Sequence, residues 1–185
     1  MEQPSNVEEL LAALDAGVRV KYLFFWGHRP EPDGSMGKGC LSQWWPVTFT
    51  EGDDSYASAE HYMMAGKARL FGDEEARARI LACATPGEAK KLGRQVRGFD
   101  EAAWVAFRFH LVVAANVAKF GQHPELRKYL LDTGDRVLVE ASPRDRIWGI
   151  GMGASNPAAE DPASWRGLNL LGFALTQARE QLRRP

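Results

Sequence analysis

The stretch SAEHYMMAGKA at residues 58–68 carries two opposite charges inside a run of apolar residues. On a helical wheel at about 100° per residue, Glu60 and Lys67 lie in the middle of the face that also holds Met63 and Met64. A charge in such a place must be paired, held in its neutral form or used on a ligand. The seven-residue spacing separates the two charges by about 10 Å along the axis, so they do not easily pair directly. A small polar ligand fits between them, and this helix is therefore a candidate site.

His61, Tyr62 and Arg69 take the opposite, polar side of the same wheel. His61 lies about 100° from Glu60, so we expect it to anchor the helix to a neighbour rather than to react. Burial on the apolar face is expected to lower the pKa of the Lys67 amine, because a low-dielectric environment disfavours the ammonium form. A neutral, nucleophilic lysine follows from that shift. The structural alternative is an ion-pair network with other helices.

The composition indicates one well-packed domain without a binding surface for polyanions. The chain has 185 residues, 45% of them apolar, and its net charge is −1 from 23 basic and 24 acidic residues. Long nucleic acids and anionic membranes are therefore disfavoured, whereas a pocket for one nucleotide is not. Cys40 and Cys83 lie outside any short metal-type spacing, and the four histidines form no local ligand pair. We expect no disulfide framework, no metal and no cofactor.

The N-terminal residues do not have the pattern of a targeting segment. Residues 1–7 are polar and acidic, where a signal peptide would be basic and then apolar, and no apolar run approaches about 18 residues. We therefore expect a cytoplasmic protein that does not bind membranes. Residues 1–18 are interpreted as an N-terminal helical extension and residues 19–183 as the domain.

Periodicity predicts a mostly helical α+β domain with a small β-sheet. The helix over 101–120 is apolar on two opposite sides, so we expect it to be central. The helix over 85–94 opens with a capping box and a proline at its first position. Further predicted elements are helices over 6–16, 58–71, 73–84 and 125–131 and one following residue 169, with strands over 19–26, 47–50 and 136–140.

The segment 142–151 is the second unusual stretch, since it combines Asp145 and Trp148 with the closely spaced Gly149 and Gly151. Glycines at this spacing permit close approach of the backbone to a ligand. As a phosphate cradle the signal is weak, because the full dinucleotide pattern is absent. Trp148 is either a core residue or a platform on which a base stacks. We expect this loop to line a cleft with the helix over 58–71 and the segment 42–46.

Two further sites carry both a structural and a functional interpretation. Ser42-Gln43-Trp44 precedes a second tryptophan and a proline, which suits either a core plug or a surface that stacks bases and sugars. Asn169 is either a ligand contact or the cap of the last helix.

Short motifs follow one another in a fixed order from about residue 24 to residue 180. They are Leu41-Ser42-Gln43-Trp44 with Pro46, Glu60-His61-Tyr62 with Lys67-Ala68, Lys119-Phe120, Leu138 with Glu140, Asp145 with Trp148-Gly149 and Gly151, and Asn169 with Leu171-Gly172. In this order they resemble the NADAR domain, the family that includes the YbiA-like N-glycosidases. The resemblance implies cleavage of an N-glycosidic bond to ribose. The implied substrates are a ribosylamino-pyrimidine phosphate of riboflavin synthesis or an ADP-ribosylated guanine.

Three positions depart from the family pattern. Gln43 stands where an asparagine is usual, Met64 where a glutamine is frequent, and Val112 where a methionine is frequent. The first two are expected at pocket positions, so they bear on the choice of substrate more than on the chemistry.

The resemblance implies roles for the charged residues. Lys67 is expected to form a Schiff base, Asp145 to shuttle protons, and Glu60 to hold a ribose hydroxyl or to act as an acid or base. Alternatively, Glu60 or Asp145 is the carboxylate that stabilises an oxocarbenium ion, and Lys67 binds phosphate. The residues expected to bind substrate are Ser42, Gln43, Trp44, Trp148, Gly149, Gly151 and Asn169.

Three classes of function remain open at this level. The first is a hydrolase for a ribosyl or ADP-ribosyl small molecule, or for an ADP-ribosylated base in nucleic acid. The second is a non-catalytic module that binds NAD or ADP-ribose. The third is a scaffold whose buried charges only pair. The oligomeric state is not predicted.

Overall fold

Residues 3–184 are described in a computed structural model. Met1 and Glu2, which belong to the predicted N-terminal extension, lie outside the described residues, as does Pro185. The elements are α1 (Val7–Asp15), β1 (Tyr22–Phe25), β2 (Phe49–Glu51), β3 (Asp54–Tyr56), α2 (Ala59–Leu70), α3 (Glu74–Ala82), α4 (Pro86–Gly93), α5 (Glu101–Gln122), α6 (Pro124–Asp132), β4 (Val137–Glu140) and α7 (Leu170–Arg183). The predicted class, α+β and mostly helical, is confirmed.

Contacts within the chain divide it into two compact units. The first comprises the residues up to Ser42 together with those from Arg127 onward, and the second comprises residues 43–126. The first unit therefore contains α1, β1, β4 and α7, and the second contains α2 to α5 with the β2–β3 pair.

The first unit is built on a parallel pair of strands. Tyr22 of β1 lies opposite Val137 of β4, and Phe25 lies opposite Glu140. The first three residues of β4 are buried, as expected for a strand covered on both faces. Helix α7 packs on this strand so closely that a Cβ on Gly172 would overlap the carbonyl oxygen of Leu138.

The second unit contains an antiparallel hairpin and four helices. Phe49 of β2 lies opposite Tyr56 of β3, and a turn at Gly52 and Asp53 joins the two strands. The strand predicted over 47–50 begins two residues later in the structure, at Phe49, and β3 was not predicted. Helix α2 packs against α3, α4 and α5 and is the element that the other helices of this unit share.

Helix α5 is central over only half of its length. Its residues from Leu111 to Phe120 are mostly buried, but Val105 and Phe107 are exposed in its first half. The prediction that the whole helix is central was wrong, because apolar residues on two sides do not by themselves show which turns are covered. Over the described residues, α5 is one helix long and apolar enough to cross a membrane, a test that core helices of soluble proteins also pass.

The contact between α7 and β4 gives a stability prediction. Gly172→Ala places a methyl group against the β4 backbone, so we expect it to lower the free energy of unfolding by about 1–3 kcal/mol. Gly153→Ala is the matched control, because a Cβ there meets no atom within 4 Å. Urea denaturation followed by circular dichroism measures both. Equal midpoints for the two variants would contradict the close approach of α7 to β4.

Candidate functional site

Helix α2 is buried on almost every side, including the side predicted to be polar. His61 is 1% exposed and Tyr62 3% exposed, while Lys67 is half-buried and Arg69 is exposed. The side of the wheel that carries the polar residues is therefore covered at His61 and Tyr62. The hydroxyl of Tyr62 instead donates to a carboxylate oxygen of Glu51 at 2.8 Å. Each polar side chain of a helix buried in this way needs a partner within the protein.

His61 anchors the start of α2, as its position on the wheel suggested. Its Nε2 lies 3.2 Å from the carbonyl oxygen of Cys83, and its Nδ1 lies 2.7 Å from Oγ of Ser58. Because a carbonyl only accepts, Nε2 carries the proton and Nδ1 accepts from the Ser58 hydroxyl. Burial lowers the pKa of His61, which keeps this imidazole neutral. Ser58 also accepts from the backbone amide of His61 and so caps the helix.

Glu60 lies in the first turn of α2 and is 4% exposed. Its backbone amide donates to the backbone oxygen of Gln43 at 3.0 Å, which ties the 43–44 segment to the helix. A carboxylate in the first turn is favoured by the positive end of the helix dipole. The N-terminal end of α2 thus holds a buried acid beside a fixed backbone segment.

Lys67 lies in the last turns of α2, in an aromatic environment. Its Nζ is 4.4 Å from the ring centroid of Phe99 and 5.4 Å from that of Trp104. Burial, and then the positive charge of Arg94, lower the pKa of Lys67. This is the direction that the sequence predicted. The ring faces favour the ammonium form and oppose this fall in pKa.

The Gln43 side chain is hydrogen-bonded to Asn116, a polar residue that the sequence patterns did not single out. Its side-chain oxygen accepts from Nδ2 of Asn116 at 3.0 Å, and both residues are buried. Asn116 belongs to the buried half of α5 and is a lone amide among apolar side chains. That isolation was the available signal, because an unpaired buried amide is costly.

Trp44 and Met64 both lie beside α4. Lys90 Nζ is 6.0 Å from the Trp44 ring centroid, and a Cβ on Gly87 would lie 3.7 Å from that ring. Met64 fills the space that a side chain on Gly93 would need. Met64, which departs from the family pattern, therefore packs between α2 and α4.

Asp145 organises its own loop in the first unit. Its Oδ1 accepts from the backbone amides of Ile147 at 2.9 Å and Trp148 at 2.8 Å. No residue from 3 to 184 donates a hydrogen bond to its Oδ2. Asp145 and Trp148 are both half-buried. One carboxylate oxygen of Asp145 therefore holds the loop in place, and the other takes no part in the hydrogen bonds of the loop.

Gly149 and Gly151 both lie where neighbouring protein atoms leave little room for a side chain. A Cβ on Gly149 would lie 2.9 Å from the Glu140 carbonyl oxygen and 3.1 Å from that of Asp145. Gly151 has a φ of +70°, which favours glycine, and a Cβ there would lie 3.0 Å from Cβ of Arg166. Close packing within the protein therefore accounts for both glycines, and their predicted contact with a ligand stays a prediction.

Asn169 stands at the N-cap position of α7, but its side chain bonds to β4. It is fully buried, and its side chain accepts from the Glu140 amide and donates to the Leu138 carbonyl, both at 2.9 Å. It has a left-handed φ of 51° and makes no side-chain cap bond to α7. Each half of its amide makes one hydrogen bond to β4, and the predicted ligand contact stays a prediction. Ser42, also buried, ends the short 3-10 turn Lys38–Leu41.

The predicted site residues thus fall into two groups. Gln43, Trp44, Glu60 and Lys67 belong to the second unit. Ser42 and the predicted residues between 145 and 169 belong to the first.

A surface depression of about 740 Å³ lies elsewhere, between α1 and α7. Glu9, Ala13, Thr176 and Glu180 are among the residues that line it. Among residues 3–184, no predicted site residue borders this depression, and no three His, Cys, Asp or Glu side chains are grouped as they would be around a metal ion.

Comparison with known proteins places these features in a family. The NADAR domain profile matches residues 24–183. The chain belongs to the NADAR domain family. The resemblance found in the motifs is therefore confirmed.

Relatives in the NADAR family match over most of their length. The chain is 43% identical over 166 residues to an N-glycosidase of Acanthamoeba polyphaga mimivirus, which is 87% of this chain and 96% of that protein. It is 33% identical over 138 residues to the N-glycosidase YbiA of Escherichia coli, or 75% and 76% of the two chains. The NMR structure of Escherichia coli YbiA matches with a TM-score of 0.71 at 28% identity, over 90% of this chain and 87% of that one.

These NADAR relatives identify the reaction class. Because they are N-glycosidases, the chain is an N-glycosyl hydrolase with a glycosylated small molecule as substrate. This favours the enzyme over the non-catalytic binding module. The roles of the individual site residues stay predictions.

The surroundings of Lys67 give a direct electrostatic prediction. The positive charge of Arg94 disfavours the ammonium form of Lys67. Arg94→Gln removes that charge, so we expect the pKa of Lys67 to rise. The Lys67 signal in lysine-¹³Cε-labelled protein, assigned by its loss in Lys67→Ala, is titrated to measure it. Lys91→Gln is the control. It removes an exposed charge from α4, close in sequence to Arg94, and should leave the titration of Lys67 unchanged. A Lys67 pKa that stays constant or falls in Arg94→Gln would contradict this environment.

Proposed function

We propose that this N-glycosidase cleaves the bond between ribose and a base in a ribosyl-phosphate or ADP-ribosyl conjugate, through a Schiff base on Lys67. The candidate substrates are the ribosylamino-pyrimidine phosphate and the ADP-ribosylated guanine that the family resemblance implies. The observation that carries the proposal is the Lys67 amine, half-buried between two aromatic rings, with a lowered pKa.

A neutral amine is the form that attacks a sugar carbon. In a ribosylamine, the nitrogen lone pair expels the ring oxygen from C1′, the oxygen takes a proton, and an imine forms between C1′ and that nitrogen. Lys67 Nζ then adds to C1′, and a proton passes to the base nitrogen. The bond from C1′ to the base breaks and leaves the sugar as an imine on Lys67. Water adds to this imine and releases the free sugar and the amine.

The two carboxylates supply the proton transfers of this route. Glu60 is buried in the first turn of α2, where it suits a ribose hydroxyl or a general acid or base. Asp145 keeps one carboxylate oxygen outside its loop hydrogen bonds, which suits a proton shuttle. Each role is assigned from the residue's own surroundings.

The alternative route dispenses with the covalent intermediate. Either Glu60 or Asp145 then stabilises an oxocarbenium ion, and Lys67 binds phosphate as an ammonium. The lowered pKa of Lys67 supports the covalent route, because it increases the fraction of amine in the neutral, nucleophilic form.

Borohydride trapping tests the Schiff base. Sodium borohydride added during turnover should reduce the imine and leave the sugar on the peptide that contains Lys67, as read by mass spectrometry. Lys67→Ala should lose the adduct and at least about hundredfold in kcat. Lys91→Ala, an exposed lysine, should retain both. The assay uses the ribosylamino-pyrimidine phosphate and ADP-ribosylated guanosine in parallel.

Two results would overturn the proposal. Failure to trap, combined with turnover by Lys67→Ala, would exclude the covalent route. Turnover of neither substrate by the wild type would exclude both conjugates while leaving the reaction class intact.

A further inference from the structure

The orientation of the Asn116 amide is fixed by the backbone of α5. Its Nδ2 donates to the carbonyl oxygen of Val112 at 2.8 Å and to Oε1 of Gln43 at 3.0 Å. A backbone carbonyl only accepts, so Nδ2 must face Val112, and Oδ1 must face the other way. Gln43 must then present Oε1 to Asn116, because its own Nε2 in that place would set donor against donor.

This arrangement leaves one donor and one acceptor unused. Gln43 Nε2 and Asn116 Oδ1 have no hydrogen-bond partner among residues 3–184. Gln43 is only 6% exposed and Asn116 is not exposed at all. A buried polar group left without a partner costs about 1–3 kcal/mol, so two such atoms on touching side chains point to a ligand.

The position of Gln43 connects this amide pair to the proposed chemistry. Its backbone oxygen accepts from the amide of Glu60, so Gln43 is tied to the end of α2 that holds the buried carboxylate. The partner of the pair should be neutral. A phosphate would be bound more strongly by cationic side chains or by backbone amides at a helix end, whereas Gln43 and Asn116 are both uncharged.

We propose that Asn116 is a positioning residue that turns Gln43 so that Nε2 donates to an oxo group of the substrate's base. Asn116 Oδ1 accepts from the ring N–H next to that oxo group. A lactam edge, in which a ring carbonyl adjoins a ring N–H, offers this acceptor and donor together. The inference rests on the proposed function and adds to it the two residues that recognise the lactam edge of the base.

NMR titration of the side-chain amides tests this contact without turnover. Two pairs of ligands are compared: 5,6-diaminouracil with 4,5-diaminopyrimidine, and guanosine with 2-aminopurine riboside. The second member of each pair lacks the oxo group. We expect the oxo ligand of at least one pair to bind about tenfold more tightly, as the loss of a buried hydrogen bond predicts, and to shift the Gln43 side-chain NH₂ signals.

Gln122 is the internal reference for this titration. Its side chain is already paired, since Nε2 donates to the Thr50 carbonyl at 2.7 Å and Oε1 accepts from the Thr50 amide at 2.9 Å. Its NH₂ signals should therefore stay in place. Gln43 signals that do not shift at saturating ligand would mean that the pair holds an ordered water only, and would overturn the proposal.

Asn116→Asp tests the positioning role. In this variant the carboxylate form of the new side chain can only accept from Gln43, so the glutamine must turn its N–H groups inward and present Oε1 outward. We expect the preference for oxo ligands to be lost or reversed, which a merely structural role for Asn116 would not cause. Circular dichroism checks the fold. Should this variant be unfolded, Gln43→Met, which removes the donor without a change in length, must abolish the same preference.

The results separate this inference from the proposed function. If the wild type prefers oxo ligands but cleaves neither conjugate, the base contact stands and the proposed function is excluded. A wild type that cleaves a conjugate, yet binds oxo and deoxo ligands of both pairs equally, would retain the function and remove the inference. An unchanged preference in folded Asn116→Asp would also overturn it.

Discussion

The burial of α2 is the constraint on which the second unit depends. A helix covered on nearly all sides must find partners for every polar side chain it carries, and α2 does so through short links to its neighbours. His61 joins Ser58 to the Cys83 carbonyl, and Tyr62 donates to Glu51. These bonds fix the rotation of the helix about its axis. That rotation in turn determines what surrounds Glu60 at one end and Lys67 at the other.

The two ends of α2 differ in chemistry because their surroundings differ. Near the N-terminal end, a buried carboxylate lies at the positive end of the helix dipole, and its backbone amide is bonded to Gln43. Near the C-terminal end, aromatic rings and Arg94 surround an amine whose pKa is lowered. An acid and an amine with a lowered pKa, held two turns apart on one rigid element, suit the cleavage of a small glycoside. Catalytic groups on a buried helix are held more precisely than groups on loops.

Sequence patterns predicted the features that depend on local spacing. The mostly helical α+β class, the capping box of α4 and the lowered pKa of Lys67 follow from positions a few residues apart. The patterns are ambiguous where one signal has two physical causes. Closely spaced glycines indicate close approach of something, but the sequence does not say whether a ligand or the chain's own backbone approaches, and at Gly149 it is the backbone. Asn116 was missed because its partner, Gln43, lies 73 residues away in the sequence.

The sugar should bind against α2, with C1′ at the Lys67 amine. A crystal structure of the protein soaked with ribose 5-phosphate is the decisive measurement. We expect electron density for the sugar that is continuous with Lys67 Nζ, with the side chain moved from its place over the Phe99 ring. Sugar density only in the depression between α1 and α7, with Lys67 unmoved, would contradict it.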